Sequence, residues 1–281
     1  MKGKELIVIT GCDSGIGEEL YRVFLKNGYS VAASFLKKLP IKSKEKFFPQ
    51  RMDLRKEKDI SDFIKFIRNL VHKGYEISCF VNNAGIAVFG PVENLPVAVY
   101  REIFEINYFG MVQLVKSFIP YLVKTKGKII IIGSTAGKVA VPFAAPYASS
   151  KFAVEGFADS LRREMIPYGI KTVLIEPAGI ATPIWENSWK RVKKKLFPHF
   201  DKKYIKIFNK VGEIIVKGSA KGLSQDKCAE YIYKIFRKKN PAARYLIAKN
   251  YLMEWLNLHL PSSLIDFALP KILGMDYGKK D

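Results

Sequence analysis

Cysteine is scarce in this 281-residue chain: Cys12, Cys79 and Cys228 are scattered, with no metal-ligand spacing and no even set for disulfides. A cysteine-built metal site and a disulfide scaffold are thereby excluded, and a reducing compartment, taken as the cytoplasm, is the expectation. Acidic residues are also few, 26 Asp and Glu against 47 Lys and Arg, leaving a net charge of +21. Such a field favours nucleic acid, anionic lipid or a phosphorylated cofactor, unless it is only a solvated lysine-rich surface. Long apolar runs are missing too. No stretch reaches the ~20 apolar residues of a membrane span, and Leu6-Ile7-Val8-Ile9 is too short for a signal-peptide core. A peripheral membrane contact stays open.

What is present is 48% hydrophobic sequence, enough for a substantial core, arranged as strands and helices in alternation. Glu5–Thr10 reads as a buried strand because four aliphatic residues run together, and Gly15–Asn27 as a helix closed by Gly28. Ser30–Phe35, Phe47–Asp53, Ile77–Asn82, Lys128–Ser134, Lys171–Glu176 and Arg244–Ala248 are further strands. Lys56–Lys73 carries Ile60, Phe63, Ile64, Ile67 and Val71 along one helical stripe. Val97–Lys124 is a long helical region expected to break or kink near Pro120, and Tyr147–Tyr168 and Lys227–Arg237 are also helical. This alternation predicts a single α/β domain around a parallel sheet with right-handed crossovers. Residues 183–223, rich in lysine and aromatics, interrupt it after a strand end, where an excursion can cover a ligand as a lid or serve only as a packing insertion. A helical tail is expected over about residues 250–275.

Chemistry gathers at the carboxyl ends of the strands. Thr10-Gly11-Cys12-Asp13-Ser14-Gly15-Ile16-Gly17 follows the first strand and opens a helix, where glycine lets the backbone approach a pyrophosphate and the helix end supplies amides. Asn82-Asn83-Ala84-Gly85 follows the fourth strand, with small residues against which adenosine or ribose could pack. Asp53, beside Leu54, could accept a hydrogen bond from an adenine amino group or be merely solvated. Ser134 ends the fifth strand, and its hydroxyl could donate to a substrate oxygen. Tyr147 and Lys151 stand at i and i+4, on one face of a helix, so the ammonium can favour the phenolate and lower a pKa that starts near ~10. A tyrosine so placed exchanges protons with an alcohol or a carbonyl. Asn107 sits mid-helix, where asparagine is disfavoured; a water-binding amide would account for it, as would a surface or core-satisfied one.

Together these segments resemble the motif set of the short-chain dehydrogenase/reductase family, in the family's order, strongly over residues 5–185. The Cys-Asp-Ser glycine turn, Pro146-Tyr147, Lys151-Phe152-Ala153-Val154-Glu155-Gly156, Thr182-Pro183-Ile184-Trp185 and Arg244-Tyr245-Leu246 are similar to its retinol, hydroxysteroid and 3-hydroxybutyrate dehydrogenase branch. The resemblance implies a Rossmann-like, doubly wound, three-layer α/β/α fold. It also implies a catalytic set: Tyr147 as acid/base, Lys151 on the ribose hydroxyls, Ser134 orienting the substrate oxygen, and Asn107 anchoring a water that links Lys151 to solvent. Gly11, Asp13, Ser14, Gly15, Ile16, Gly17, Asp53, Leu54, Asn83, Ala84, Gly85, Tyr147, Lys151, Pro177, Gly179, Ile180 and Thr182 are its expected cofactor contacts. One departure is Pro177-Ala178-Gly179 where the family usually has Pro-Gly: the extra methyl crowds the nicotinamide, or Gly179 compensates.

An NAD site of this fold usually carries an acidic residue after the second strand, on the ribose. Here Phe35 occupies that place and Lys37 and Lys38 follow, which suits a 2′-phosphate and inclines the reading to NADP, with NAD the alternative. Phe143 and Trp185 near the expected pocket, with Trp189 in the lid, suggest an apolar alcohol or carbonyl such as a retinoid, steroid or fatty alcohol, unless they only pack the lid. A short hydroxy acid held by lid lysines, or a dinucleotide-binding regulatory or scaffold protein without turnover, are the alternatives. No ordered motif supports nucleic-acid binding. Residues 189–196 and 250–273 place basic and aromatic residues beside apolar ones, as an interfacial helix does, or as a tail packed on the domain or on a second subunit. A homodimer or homotetramer is the expected assembly.

Overall fold

The computed structural model describes residues 4–37, 39–40 and 45–273. In β1 (Lys4–Ile9) the side chains divide by the strand's period of two: Leu6 and Val8 enter one core, Ile7 and Ile9 the other. A strand buried on both faces needs helices on both, and the following elements supply them. They are α1 (Gly15–Lys26), β2 (Ser30–Phe35), β3 (Phe47–Arg51), α2 (Glu57–His72), β4 (Tyr75–Asn82), α3 (Val97–Phe104), α4 (Gly110–Thr125), β5 (Lys128–Ile132), α5 (Ala145–Met165) and β6 (Lys171–Ala178). The isoleucines of β5 split in the same way, Ile129 and Ile131 against Ile130 and Ile132.

After β6 come β7 (Ile180–Ala181), α6 (Ile184–Lys195), α7 (Lys202–Ala220), β8 (Leu223–Ser224), α8 (Gln225–Arg237), β9 (Arg244–Ala248), α9 (Tyr251–His259) and α10 (Ser262–Leu273). The seven-stranded sheet runs β3-β2-β1-β4-β5-β6-β9 with every neighbouring pair parallel. Strand order reverses between β1 and β4, and a crevice opens at such a switch point beyond the carboxyl ends of the strands. This is the Rossmann-like, doubly wound architecture expected from the sequence. The insertion is a pair of helices, α6 and α7, whose base is closed by the short parallel pair β7–β8.

Two expectations shift. The break in the long helical region lies at Glu105–Phe109, a π-helical turn between α3 and α4, while Pro120 lies inside α4. The side-chain bonds of Asn107, described below, hold that turn. In addition, β5 ends at Ile132, so Ser134 lies beyond the strand and caps a short 3-10 turn through its hydroxyl and the Ala136 amide, 3.1 Å. The part of the expected tail beyond Leu273 lies outside the described residues.

Candidate active site

The glycine turn is tied to its neighbours before any ligand arrives. The Thr10 hydroxyl accepts the amides of Asn83 and Ala84 at 3.0 Å each, and the Asn83 side chain donates to the carbonyls of Thr10 and Gly11 at 3.0 and 2.9 Å. A Cβ on Gly17 would come within 2.2 Å of the Gly11 carbonyl oxygen, so only glycine lets α1 start this close to β1. Gly17 therefore packs the helix against the turn and does not line the cleft, while Gly11, Ser14, Gly15 and Ile16 do. Ser14 is extended and gives α1 no side-chain cap, so the first helical amides are left for a ligand. That donor set at a helix N-terminus fits a pyrophosphate.

The cleft holds ≈ 390 Å³ and runs from this turn to Tyr147. Lys37, Asp53, Leu54, Asn83, Ala84, Gly85, Ser134, Lys151, Pro177, Gly179, Ile180, Thr182 and Trp185 line it. Lys38 lies outside the described residues. Asp13 lines the cleft too, but its carboxylate accepts the amides of Leu36 and Lys37 at 2.8 Å each, fixing the turn after β2. Asp53 is held by Arg55 through Nε at 2.9 Å and a second guanidinium nitrogen at 2.7 Å. That hydrogen bond holds its carboxyl below the usual carboxylate range, although burial works the other way.

Gly179 resolves the departure after β6. Ala178 stays in strand register with Ala248 and lies outside the cleft lining, and Gly179 takes the left-handed turn at φ +57° with open space around its Cα. The methyl group does not crowd the cleft. Thr182 then comes over the glycine turn: a Cβ on Gly15 would meet it at 3.4 Å.

At the far end, Tyr147 and Lys151 are buried on α5, one turn apart, and Ser134 lines the same end of the cleft. Edge-on contact with Trp185 at 5.6 Å and tilted contact with Phe89 at 6.4 Å fix the Tyr147 ring. The expected depression of the Tyr147 pKa by Lys151 is reversed in this form. Burial pushes the phenol up, and the neighbouring Ser134 hydroxyl opposes that only in part. Lys151 points its Nζ to the Ile132 carbonyl at 2.9 Å and lies 5.9 Å from the Tyr147 ring centroid. Burial brings Lys151 down to about 8, with the Glu155 carboxylate acting upward. In this form the phenol holds its proton more tightly than a free tyrosine, and the buried ammonium releases its own more easily than an exposed lysine.

The Asn107 side chain takes the core-satisfied form that the sequence left open. Its amide donates to the Ile86 carbonyl and the Ser150 hydroxyl at 3.0 Å each, and its oxygen accepts the Ile86 amide at 2.9 Å. Both donors are used, so the side chain clamps the strand-end loop to α5. Phe143 is displaced from its expected place: it is buried behind the cleft, packed edge-on to Tyr204 and Phe208 of α7. Its backbone is left-handed, φ +67°, with its carbonyl accepting the Gly90 amide at 2.8 Å. Such an aromatic outlier costs on the order of 1–3 kcal/mol and persists because its surroundings hold it. Trp189 likewise packs inside the lid, stacked on Phe208 at 5.1 Å.

The family model for short chain dehydrogenase matches residues 5–193. The chain belongs to this family. A relative from Ornithobacterium rhinotracheale, the NADPH-dependent 3-dehydrocapnine reductase, is 34% identical over 92% of this chain and 94% of its own length. Dehydrogenase/reductase SDR family member 9 of Bos taurus is 32% identical over 94% of this chain and 87% of its own. The fold matches a short chain dehydrogenase from Burkholderia cenocepacia, crystallised with NADP, at a TM-score of 0.72 and 19% identity over 94% of this chain and 96% of that one.

This short chain dehydrogenase also uses residues that no motif announced. Ser34 accepts the Gly11 amide at 3.1 Å. An ion-pair chain crosses the cleft mouth: Asp53 to Arg55, Arg55 to Glu102 at 3.5 Å, and Glu102 to Arg191 of the lid. Arg55 follows Asp53-Leu54 directly and could have been flagged; the pairing of Glu102 with Arg191 joins residues far apart in sequence and leaves no local signal. Behind Lys151, Glu155 is paired with Arg244, which also reaches Glu176 at 2.8 Å and Asp159 at 3.0 Å.

Proposed function

We propose that this short chain dehydrogenase interconverts an alcohol and a carbonyl on a lipophilic substrate, working as a reductase with NADPH, with Tyr147 as the proton donor. The observation that carries the reading is the burial of Tyr147 and Lys151 one turn apart on α5, with Ser134 beside them, at the end of the cleft that starts at the glycine turn. When bound, the nicotinamide supplies the hydride. The substrate oxygen would accept hydrogen bonds from Ser134 and Tyr147, which stabilise the charge that develops on it. Tyr147 gives its proton to that oxygen, and Lys151 returns one to the phenolate.

NADPH is favoured because the Asp13 carboxylate at the turn after β2 spends its oxygens on two backbone amides, and Lys37 lines the cleft beside it. The 34%-identical relative is named as NADPH-dependent. Ile86, Ala87, Ile184 and Trp185 line the substrate end and suit an apolar ligand. A short hydroxy acid fits less well, since the Arg191 guanidinium is engaged by Glu102.

The test is reduced-cofactor consumption at ~340 nm with a panel of lipophilic ketones and aldehydes. Turnover of at least one, with NADPH preferred over NADH by about tenfold and that preference lost in Lys37→Ala, is expected. Faster reaction with NADH would overturn the cofactor assignment, and turnover confined to short hydroxy acids would overturn the substrate class.

A further inference from the structure

We propose that α9 and α10 dock this protein on the surface of an anionic lipid bilayer. Apolar residues there face outward: Leu252, Trp255, Leu256, Leu264, Phe267 and Ile272 are all exposed, with Leu252 68% and Phe267 67% accessible. Scattered exposed hydrophobics are ordinary, but these are consecutive turns of two adjoining helices. α10 is apolar on both sides. Ile265, Leu269 and Leu273, at i, i+4 and i+8, turn inward, and Leu269 and Leu273 join the cluster that contains Phe143 and Tyr147. Leu264, Ala268 and Ile272, with the same spacing, are exposed. Asp266 and Lys271 are its charged residues, and beside them Leu264, Phe267, Ala268 and Ile272 leave a largely apolar outer side open.

Charge selects the occupant. α10 packs on α7, and residues 183–223 hold eleven Lys and Arg against three Asp and Glu. Lys194, Lys195, Lys202, Lys206 and Lys210 are exposed there. Such a surface next to apolar helices fits anionic headgroups over an acyl boundary, with lysine stems packed along apolar neighbours as Lys271 packs on Phe267, 3.6 Å from the ring centroid. A second copy would bring an equally basic lid towards this one. Among the described residues no helix is long and apolar enough to cross a membrane, so the contact lies on the surface. The inner stripe of α10 links that surface to the apolar wall behind Tyr147. Docking is independent of the catalytic reading, because it is measured without turnover.

The experiment is flotation of the full chain with vesicles of phosphatidylcholine containing about one third phosphatidylglycerol, against phosphatidylcholine alone. Binding to the anionic vesicles should exceed that to neutral ones by about tenfold at ~50 mM salt and fall at ~0.5 M, with a blue shift of tryptophan emission. Leu264→Ser with Phe267→Ser, and separately Lys202→Glu with Lys206→Glu and Lys210→Glu, should each reduce binding about tenfold while circular dichroism stays unchanged. No flotation of the unaltered chain would overturn the proposal, as would flotation that both variants leave intact. Conversion of a dimer to a monomer by the tail variant, with vesicle binding unchanged, would show that a second copy covers the face.

Discussion

Thr10–Gly17 and Asn82–Gly85 are joined by side-chain-to-main-chain hydrogen bonds of 2.9–3.0 Å, whereas α6 and α7 meet mainly through Trp189 stacked on Phe208, with a side-chain bond from Lys193 to Asn209 at 2.7 Å, and Phe143 packs edge-on to Tyr204 and Phe208 of α7. The first region must present backbone atoms at fixed positions, and directional bonds with glycine cradles achieve that. The second, if it is a lid, would cover substrates while remaining movable, and apolar ring packing has no fixed register. Substitutions in the turns and around Tyr147 should therefore change chemistry, and those in the lid should change substrate affinity.

The largest effect is expected from Tyr147→Phe, where kcat should fall by about 10³-fold or more while reduced-cofactor fluorescence titration gives an unchanged Kd. Only the donated proton is lost. Ser134→Ala should lower kcat by about 10²-fold, again with cofactor Kd preserved; a loss confined to cofactor binding would move Ser134 to the other half of the comparison.

Lys151→Met separates stability from function. An unfolded lysine titrates near ~10.4, while burial holds Lys151 at about 8. Between those values the unfolded chain binds the extra proton, so the stability of the cofactor-free protein should climb as pH rises from about 8 to ~10.4. Below that window the folded state carries a buried ammonium at a cost of up to about 3 kcal/mol. Thermal unfolding of Lys151→Met near pH 7 should show a gain in stability, no such climb with pH, and lost turnover.

The smallest change tests the lid. A Cβ on Gly212 would sit 2.0 Å from the Trp189 ring, so Gly212→Ala must separate α6 from α7. Substrate KM should rise about five- to tenfold with kcat within about twofold, and Tm should fall by roughly 2–6 °C, as for a loss of 1–2 kcal/mol. A kcat loss with constant KM would erase the distinction between the regions.

The same contrast explains what could be read in the sequence. β2 and β9 appear at their expected limits; β2 is buried throughout, and β9, at the sheet edge, still carries the apolar run Tyr245-Leu246-Ile247. The glycine turn, Asn83–Gly85 and Tyr147–Lys151 converge on one cleft because backbone constraints leave a local trace. The long-range contacts left none: Phe143 reads as a pocket aromatic but anchors α7, and nothing beside Asn107 in the sequence shows that its side chain bonds Ile86 and Ser150. The polarity of the Tyr147 shift was equally hidden, since helical spacing places Lys151 on the right face but does not show that Ile132 takes its Nζ.

The most direct test is a crystal structure of the ternary complex with oxidised cofactor and an unreactive ketone that the substrate panel identifies. The ketone oxygen is expected within about 3.2 Å of both the Tyr147 and Ser134 hydroxyls, its carbonyl carbon facing the nicotinamide. A ketone bound in that cleft with its oxygen beyond reach of Tyr147 would contradict the account.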